Sequence, residues 1–184
     1  MPKTLKDMEA EVAAYQREKG WDQPRSVAAS LALLHEEVSE AGHAWREWGL
    51  EDHTVGVTAE HPSGRWHAKP EGVGSELADV MIRLLDTSGR YGLNLPDLMR
   101  GHQGEFSLHE EFLANVNALH DLISRVSLFW EADPGDEGLA RGLAAVMVFT
   151  RQLAESVGVN LTFEYERKMN YNHDRAYRHG GRRA

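Results

Sequence analysis

Apolar residues along this chain recur mostly at three- and four-residue intervals, the spacing of one helix face, and the runs are punctuated by residues that start and stop helices. Thr4 to Lys19 reads as a helix stopped by Gly20. After a short link, WDQPR, Ser26 can N-cap a second helix that runs to Gly49 with an apolar stripe of Leu34, Val38, Ala41 and Trp45. From 50 to 72 the periodicity vanishes and Gly, Pro and His accumulate; Thr54 to Thr58 and Arg65 to His67 can pair as a small hairpin around Pro62-Ser63-Gly64. Helical spacing returns from Gly74 to Tyr91, and a loop with Pro96 and three glycines follows. Ser107-Leu108-His109-Glu110 then has the form of a capping box opening a long helix to Glu131. Beyond ADPGDEG a helix spans Leu139 to Val157, Asn160 can cap a last one through about Asn172, and a basic stretch at 176–184 closes the chain.

Two of these helical hairpins resemble each other. LHEEVSEAGHAW (34–45) aligns with LHDLISRVSLFW (119–130) at an offset of 85, matching Leu, His, an acid, Ser and Trp. ELADVMIRLL (76–85) aligns with GLAAVMVFTR (142–151), and GLNL (92–95) with GVNL (158–161), at an offset of 66. The offsets differ by 19, roughly the irregular insert of the first copy. Each hairpin alone would leave its apolar stripe in water, and packing the two together buries both. The expected fold is therefore all-α: a four-helix bundle built as a pseudo-dimer of two hairpins, with extra N- and C-terminal helices and an insert at about 50–72. One domain spans 1–184, with repeat 1 at 21–95 and repeat 2 at 107–175.

A length of 184 residues suits one domain with a real core, and a net charge of −9 with 41% hydrophobic residues describes a globular chain with no general attraction to nucleic-acid backbones. Without cysteine there are no disulfides or thiolate metal sites. The polar N-terminus lacks the apolar core of a signal peptide and no apolar run is long enough to span a bilayer, so a cytoplasmic protein with no membrane partner is expected.

The repeat turns four acids into a comparison within one chain. Glu37, Glu40, Glu76 and Asp79 of the first copy stand opposite Leu122, Arg125, Gly142 and Ala145 of the second, while neighbouring apolar positions stay apolar. The fold tolerates their absence, so they are poorly explained as structural requirements. Glu37 and Glu40 are spaced i, i+3 beside the stripe of one helix, and Glu76 and Asp79 likewise on the next. Like charges so placed destabilise a helix by about 0.2–0.5 kcal/mol when exposed and far more when buried, unless something compensates them. One reading is a solvated acidic face with Arg83 among its partners. The other is a cation held by oxygen ligands alone, which suits Mg²⁺ or Mn²⁺ and leaves positions for water and phosphate.

Glu36-Glu37-x-x-Glu40 on one helix and Glu76-x-x-Asp79 on the next resemble the acidic motifs of the all-α nucleoside triphosphate pyrophosphatase superfamily, the MazG-like and dimeric-dUTPase-like enzymes. WDQPRS is similar to that family's entry segment, and Lys168, Asn172 and Arg175 resemble its C-terminal K-x-x-x-N-x-x-R element. The resemblance implies Mg²⁺-dependent hydrolysis of a nucleoside triphosphate to the monophosphate and pyrophosphate. It assigns metal binding to Glu37, Glu40, Glu76 and Asp79, with Glu36 completing a second metal site or orienting or deprotonating water, and Glu37 sharing in catalysis. Lys168, Asn172 and Arg175 would hold phosphates, and Trp21 would stack on the base unless it is an ordinary core aromatic. As a pseudo-dimer the chain would combine acids of the first copy with cations of the second, as a monomer or as a further homodimer.

The first copy departs from the family pattern in its long separation between Glu40 and Glu76. The insert is either a lid contributing His53, His61, Trp66, His67 or Lys69, or decoration away from the site. Other readings stay open: Glu40-x-x-His43 fits one half of a di-iron site, His120-Asp121 has the form of a phosphohydrolase dipeptide or a relic of duplication, and a helical protein could bind nucleotide without turning it over.

Overall fold

A computed structural model describes residues 3–50, 55–60, 66–101 and 104–175. In chain order these form α1 (Leu5–Lys19), α2 (Val27–Trp48), β1 (Val55–Glu60), β2 (Trp66–Glu71), α3 (Val73–Tyr91), α4 (Leu95–Gly101), α5 (Phe112–Ala132), α6 (Asp136–Ser156) and α7 (Leu161–His173). The fold is all-α apart from the β1–β2 hairpin, whose strands pair antiparallel from Val55 opposite Glu71 to Glu60 opposite Trp66. No helix among the described residues is long and apolar enough to cross a membrane.

Local chemistry sets most of the boundaries. Thr4 and Asp7 close a reciprocal capping box on α1, Gly20 ends it in the left-handed conformation, and Ser26 and Asn160 cap α2 and α7 through their side chains. Several boundaries depart from the sequence expectation: α6 begins at Asp136 rather than Leu139, with Asp136 and Glu137 suited to a helix N-terminus, and the strands run on to Glu60 and Glu71 rather than ending at Thr58 and His67. Helix α5 begins at Phe112 and not after Ser107, because the buried Asn115 side chain accepts from the His109 N–H at 2.8 Å and donates to the His109 carbonyl at 2.9 Å, holding that stretch off-helix. The segment expected as a loop with Pro96 contains α4, where the Ser88 hydroxyl accepts from the Leu95 N–H and Asn94 adopts a φ of 50°, a conformation Asn tolerates.

Helices α2, α3, α5 and α6 form the four-helix bundle: α2 packs on α3 and α5, and α6 packs on α5 and α3. The core runs along their shared axis through Leu34, Val38, Leu77, Leu84, Leu119, Ile123, Leu143 and Met147, all buried. Helix α1 covers α3, and so does α7, while α4 covers α6. The short helices that follow the two hairpins thus cross over, α4 packing on the α5–α6 hairpin and α7 on α3 of the α2–α3 hairpin. His35 and His120, matched in the sequence repeat, meet with their rings stacked and their Nδ1 atoms 2.8 Å apart.

The second hairpin is closed where the first holds its acids. A Cβ at Gly142, the position opposite Glu76, would lie 2.7 Å from Val126 Cγ2. Gly142 therefore lets α6 approach α5 more closely than any side chain would allow. Gly142→Ala is expected to destabilise by about 1 kcal/mol, because overpacking against a stiff Val (about 1–3 kcal/mol) outweighs the helix-propensity gain of about 1 kcal/mol. Gly138→Ala in the same helix, where nothing lies within 4 Å, is expected to stabilise. Urea unfolding of both variants checks the pair; stabilisation by Gly142→Ala would remove the close approach as an explanation.

Candidate active site

Between α2 and α3, roofed by α7 and the end of β2, lies a cavity of about 480 Å³. Every residue expected at the site lines it: Glu36, Glu37, Glu40, Glu76, Asp79, Trp21, Lys168, Asn172 and Arg175. Helix geometry accounts for the convergence. The i, i+3 pairs of α2 and α3 face each other across one seam, and Lys168, Asn172 and Arg175, at i, i+4 and i+7, share one face of α7 and its end.

The acids are not equivalent. Glu37 and Glu76 are buried, Asp79 half-buried, and Glu36 and Glu40 exposed at the mouth. Carboxylate oxygens of Glu37, Glu76 and Asp79 all lie within 4.8 Å of one another, and Glu40 stands outside that triad. Arg83 Nε donates to Glu37 Oε1 at 2.7 Å, so one element of the solvated-face reading is present as a partly buried ion pair. Lys168, expected to hold phosphate, rests against the triad: its Nζ is 2.6 Å from Asp79 Oδ2 and 3.7 Å from Glu76 Oε2. Glu76 Oε2 is buried and makes no hydrogen bond. A buried carboxylate oxygen that makes no hydrogen bond, beside two others, fits a cation with oxygen ligands, since such an atom is costly to keep.

Burial, reinforced by Asp79, pushes Glu37 up to about 7 despite Arg83. Burial likewise raises Glu76 to about 8, with Lys168 opposing and Asp79, Glu40 and Glu71 adding to the rise. Desolvation works against the Lys168 ammonium, but Asp79 and Glu76 outweigh it and hold its pKa above the ordinary range. Tyr15, on the cavity wall, is raised to about 12 by burial and keeps its proton.

The entry segment that carries Trp21 is fixed by ions from α3. Arg90 donates to the Trp21 and Gln23 carbonyls, the Tyr91 hydroxyl donates to the Arg25 carbonyl at 2.6 Å, and Asp86 accepts from Arg90 at 2.8 Å and Arg25 at 3.2 Å. Sequence reasoning missed this clamp, and missed Gln16, Arg25 and Glu71 on the cavity wall. The repeat held a signal: Asp86 stands opposite Gln152 and Arg83 opposite Phe149, two more charges confined to the first copy.

Of the insert, Lys69 and Glu71 on β2 line the cavity, so the hairpin reaches the site. His53 and His61 lie outside the described residues, as do the side chains of Trp66 and His67. His43 is exposed and away from the cavity lining, so it does not extend the acid cluster towards a di-iron site. His120 is occupied with His35.

Two outcomes follow from the electrostatics. Folded Glu37 and Glu76, raised from 4.5 to about 7 and about 8, hold protons that the unfolded chain has released, so their contribution to stability is present below about pH 4.5 and is lost as pH rises towards 8. In chelator, thermal unfolding between pH 5 and 8 should therefore fall less steeply for Glu76→Gln than for the parent; identical pH slopes would show that Glu76 is not perturbed. Asp86→Asn, by stranding two mostly buried guanidiniums, should cost about 3 kcal/mol in urea unfolding; a loss under about 0.5 kcal/mol, the range of ordinary surface changes, would remove the clamp. Comparison of the chain with protein-family models, curated proteins and solved structures finds no match.

Proposed function

We propose that the cavity is the active site of a nucleoside triphosphate pyrophosphohydrolase that uses Mg²⁺, or Mn²⁺ in its place. The observation that carries this reading is the triad of Glu37, Glu76 and Asp79, the first two buried and with one Glu76 oxygen that makes no hydrogen bond, in one cavity with Lys168, Arg175 and Trp21. Glu37, Glu76 and Asp79 would hold the ion, with Glu40 at the mouth as a further ligand. Bound Mg²⁺ supplies charge neutralisation for a triphosphate and acidifies water.

The chain's own residues account for the remaining requirements. Asn172 and Arg175 lie along the cavity wall from the acids, where a hydrogen-bond donor and a guanidinium would hold phosphate oxygens. Glu36, exposed and next to Glu37 in the chain, would take a proton from an attacking water. Trp21 offers a flat apolar face for a base on a segment whose position is fixed by Asp86 and Arg90, so recognition does not require ordering a loop. Attack of water on the α-phosphorus with departure of pyrophosphate gives the monophosphate. The repeat supports a pseudo-dimer origin: α2 and α5 begin at positions related by the offset of 85, α4 and α7 by the offset of 66, and α4 and α7 cross over.

The test is release of pyrophosphate from a panel of ribo- and deoxyribonucleoside triphosphates with and without Mg²⁺. Turnover of at least one substrate, abolished by chelator and by Glu37→Gln or Asp79→Asn in folded protein, is expected. Tight binding without turnover across the panel would favour a regulatory nucleotide-binding protein instead, and full activity in either variant would sink the metal assignment.

A further inference from the structure

The triad is already provided with positive charge by the chain. Lys168 Nζ is within 2.6 Å of Asp79 and 3.7 Å of Glu76, and it donates to the Ser75 hydroxyl at 2.9 Å. Its side chain is 8% exposed. Ser75 donates in turn to the Pro70 carbonyl at 2.9 Å, so the hydroxyl that receives Lys168 is fixed between α3 and β2. With Arg83 on Glu37, three carboxyl groups face two cations across one cavity.

This arrangement conflicts with simple metal binding. A dication entering the triad would meet the Lys168 ammonium at a few ångströms, where the repulsion is poorly screened. The ammonium can leave the carboxylates without loss only if other negative charge takes it. Its flexible stem and its place on α7, one turn before Asn172, allow it to turn along the cavity wall towards the side lined by Asn172 and Arg175. A polyphosphate lying there supplies the missing charge.

Resting on the reading of the cavity as a metal-dependent nucleotide site, we infer that Lys168 is the triad's resident counter-cation and is exchanged for the metal: the site takes its dication together with a polyphosphate and binds the free ion weakly. Lys168 is then a positioning and specificity residue. It selects a cation–polyphosphate complex over the bare cation, and it couples the two ligands because each removes the obstacle to the other. Ser75, which holds the lysine in its resting place, belongs to the same device.

Titration calorimetry with Mn²⁺ alone, and with Mn²⁺ in the presence of a deoxynucleoside triphosphate bearing a non-hydrolysable α,β-imido bridge, tests the exchange. In the parent protein the analogue should raise Mn²⁺ affinity by roughly tenfold or more, within the usual span of coupled ligands. Lys168→Met should bind Mn²⁺ alone roughly tenfold more tightly than the parent and gain little from the analogue, the opposite of what loss of a merely structural lysine would give. Its folding is expected to depend on Mn²⁺, seen as a larger rise in melting temperature on adding the ion. Ser75→Ala keeps the lysine and removes its third contact, so its affinity for Mn²⁺ alone should shift in the same direction by a smaller factor; if Lys168→Met does not fold, this variant decides. Equal affinity for Mn²⁺ alone in parent and variants overturns the exchange while leaving the nucleotide site standing. No Mn²⁺ binding to any of the proteins, with or without the analogue, overturns the proposed function and the exchange together.

Discussion

The arrangement of this molecule depends on one electrostatic constraint: carboxylates of α2 and α3 are buried against each other and must be compensated. Arg83 answers Glu37 from within the hairpin, but Asp79 and Glu76 are answered from α7, a helix far along the chain. The Lys168 contacts therefore do more than fill a cavity; they tie α7 to α3. Other polar ties act alongside, among them the ammonium of Lys19, which donates to the His173 carbonyl at 2.8 Å and joins the ends of α1 and α7. A helix of weak amphipathic character, Leu161–His173, is thus placed by specific charge pairs together with the apolar anchors Tyr165 and Met169.

The two hairpins resolve the same packing problem in opposite ways. In the first, the seam between helices is polar and open enough for a cavity. In the second, Gly142 and Val126 bring the helices into contact, Phe149 stands where Arg83 does and Gln152 where Asp86 does. Gln152 now serves a loop, accepting from the Phe106 N–H at 3.0 Å. The acids are absent from the hairpin that lacks room for them, so the contrast lies in helix spacing as much as in residue identity.

Much of this was legible in the sequence. Caps at Ser26 and Asn160, stops at Gly20 and Gly49, and the acidic spacing rest on local rules that act within a turn or two, and the structure follows them. The acids expected at the site meet because helical periodicity puts each i, i+3 pair on one side of its helix, and the packing of α7 on α3 brings the cations to the same cavity. What was hidden depends on distant partners. The start of α5 is set by a buried Asn115 amide rather than by the apparent capping box, and α4 is set by Ser88 from the preceding helix, although the offset of 66 from the Asn160-capped helix pointed to it. The resting contacts of Lys168 were hidden for the same reason: a motif specifies which residues share a site, while which carboxylate an ammonium rests on depends on three-dimensional charge balance.

The crossing of α7 onto α3 has a consequence for how the protein behaves at low abundance. The acids and the cations that face them belong to one chain, separated by a tether that never lets the two halves diffuse apart. Where such halves sit on separate subunits, dilution below the dissociation constant dismantles the cavity; here their meeting is governed by an effective concentration fixed by the connecting segments. A few copies in a large volume would keep the cavity as complete as many.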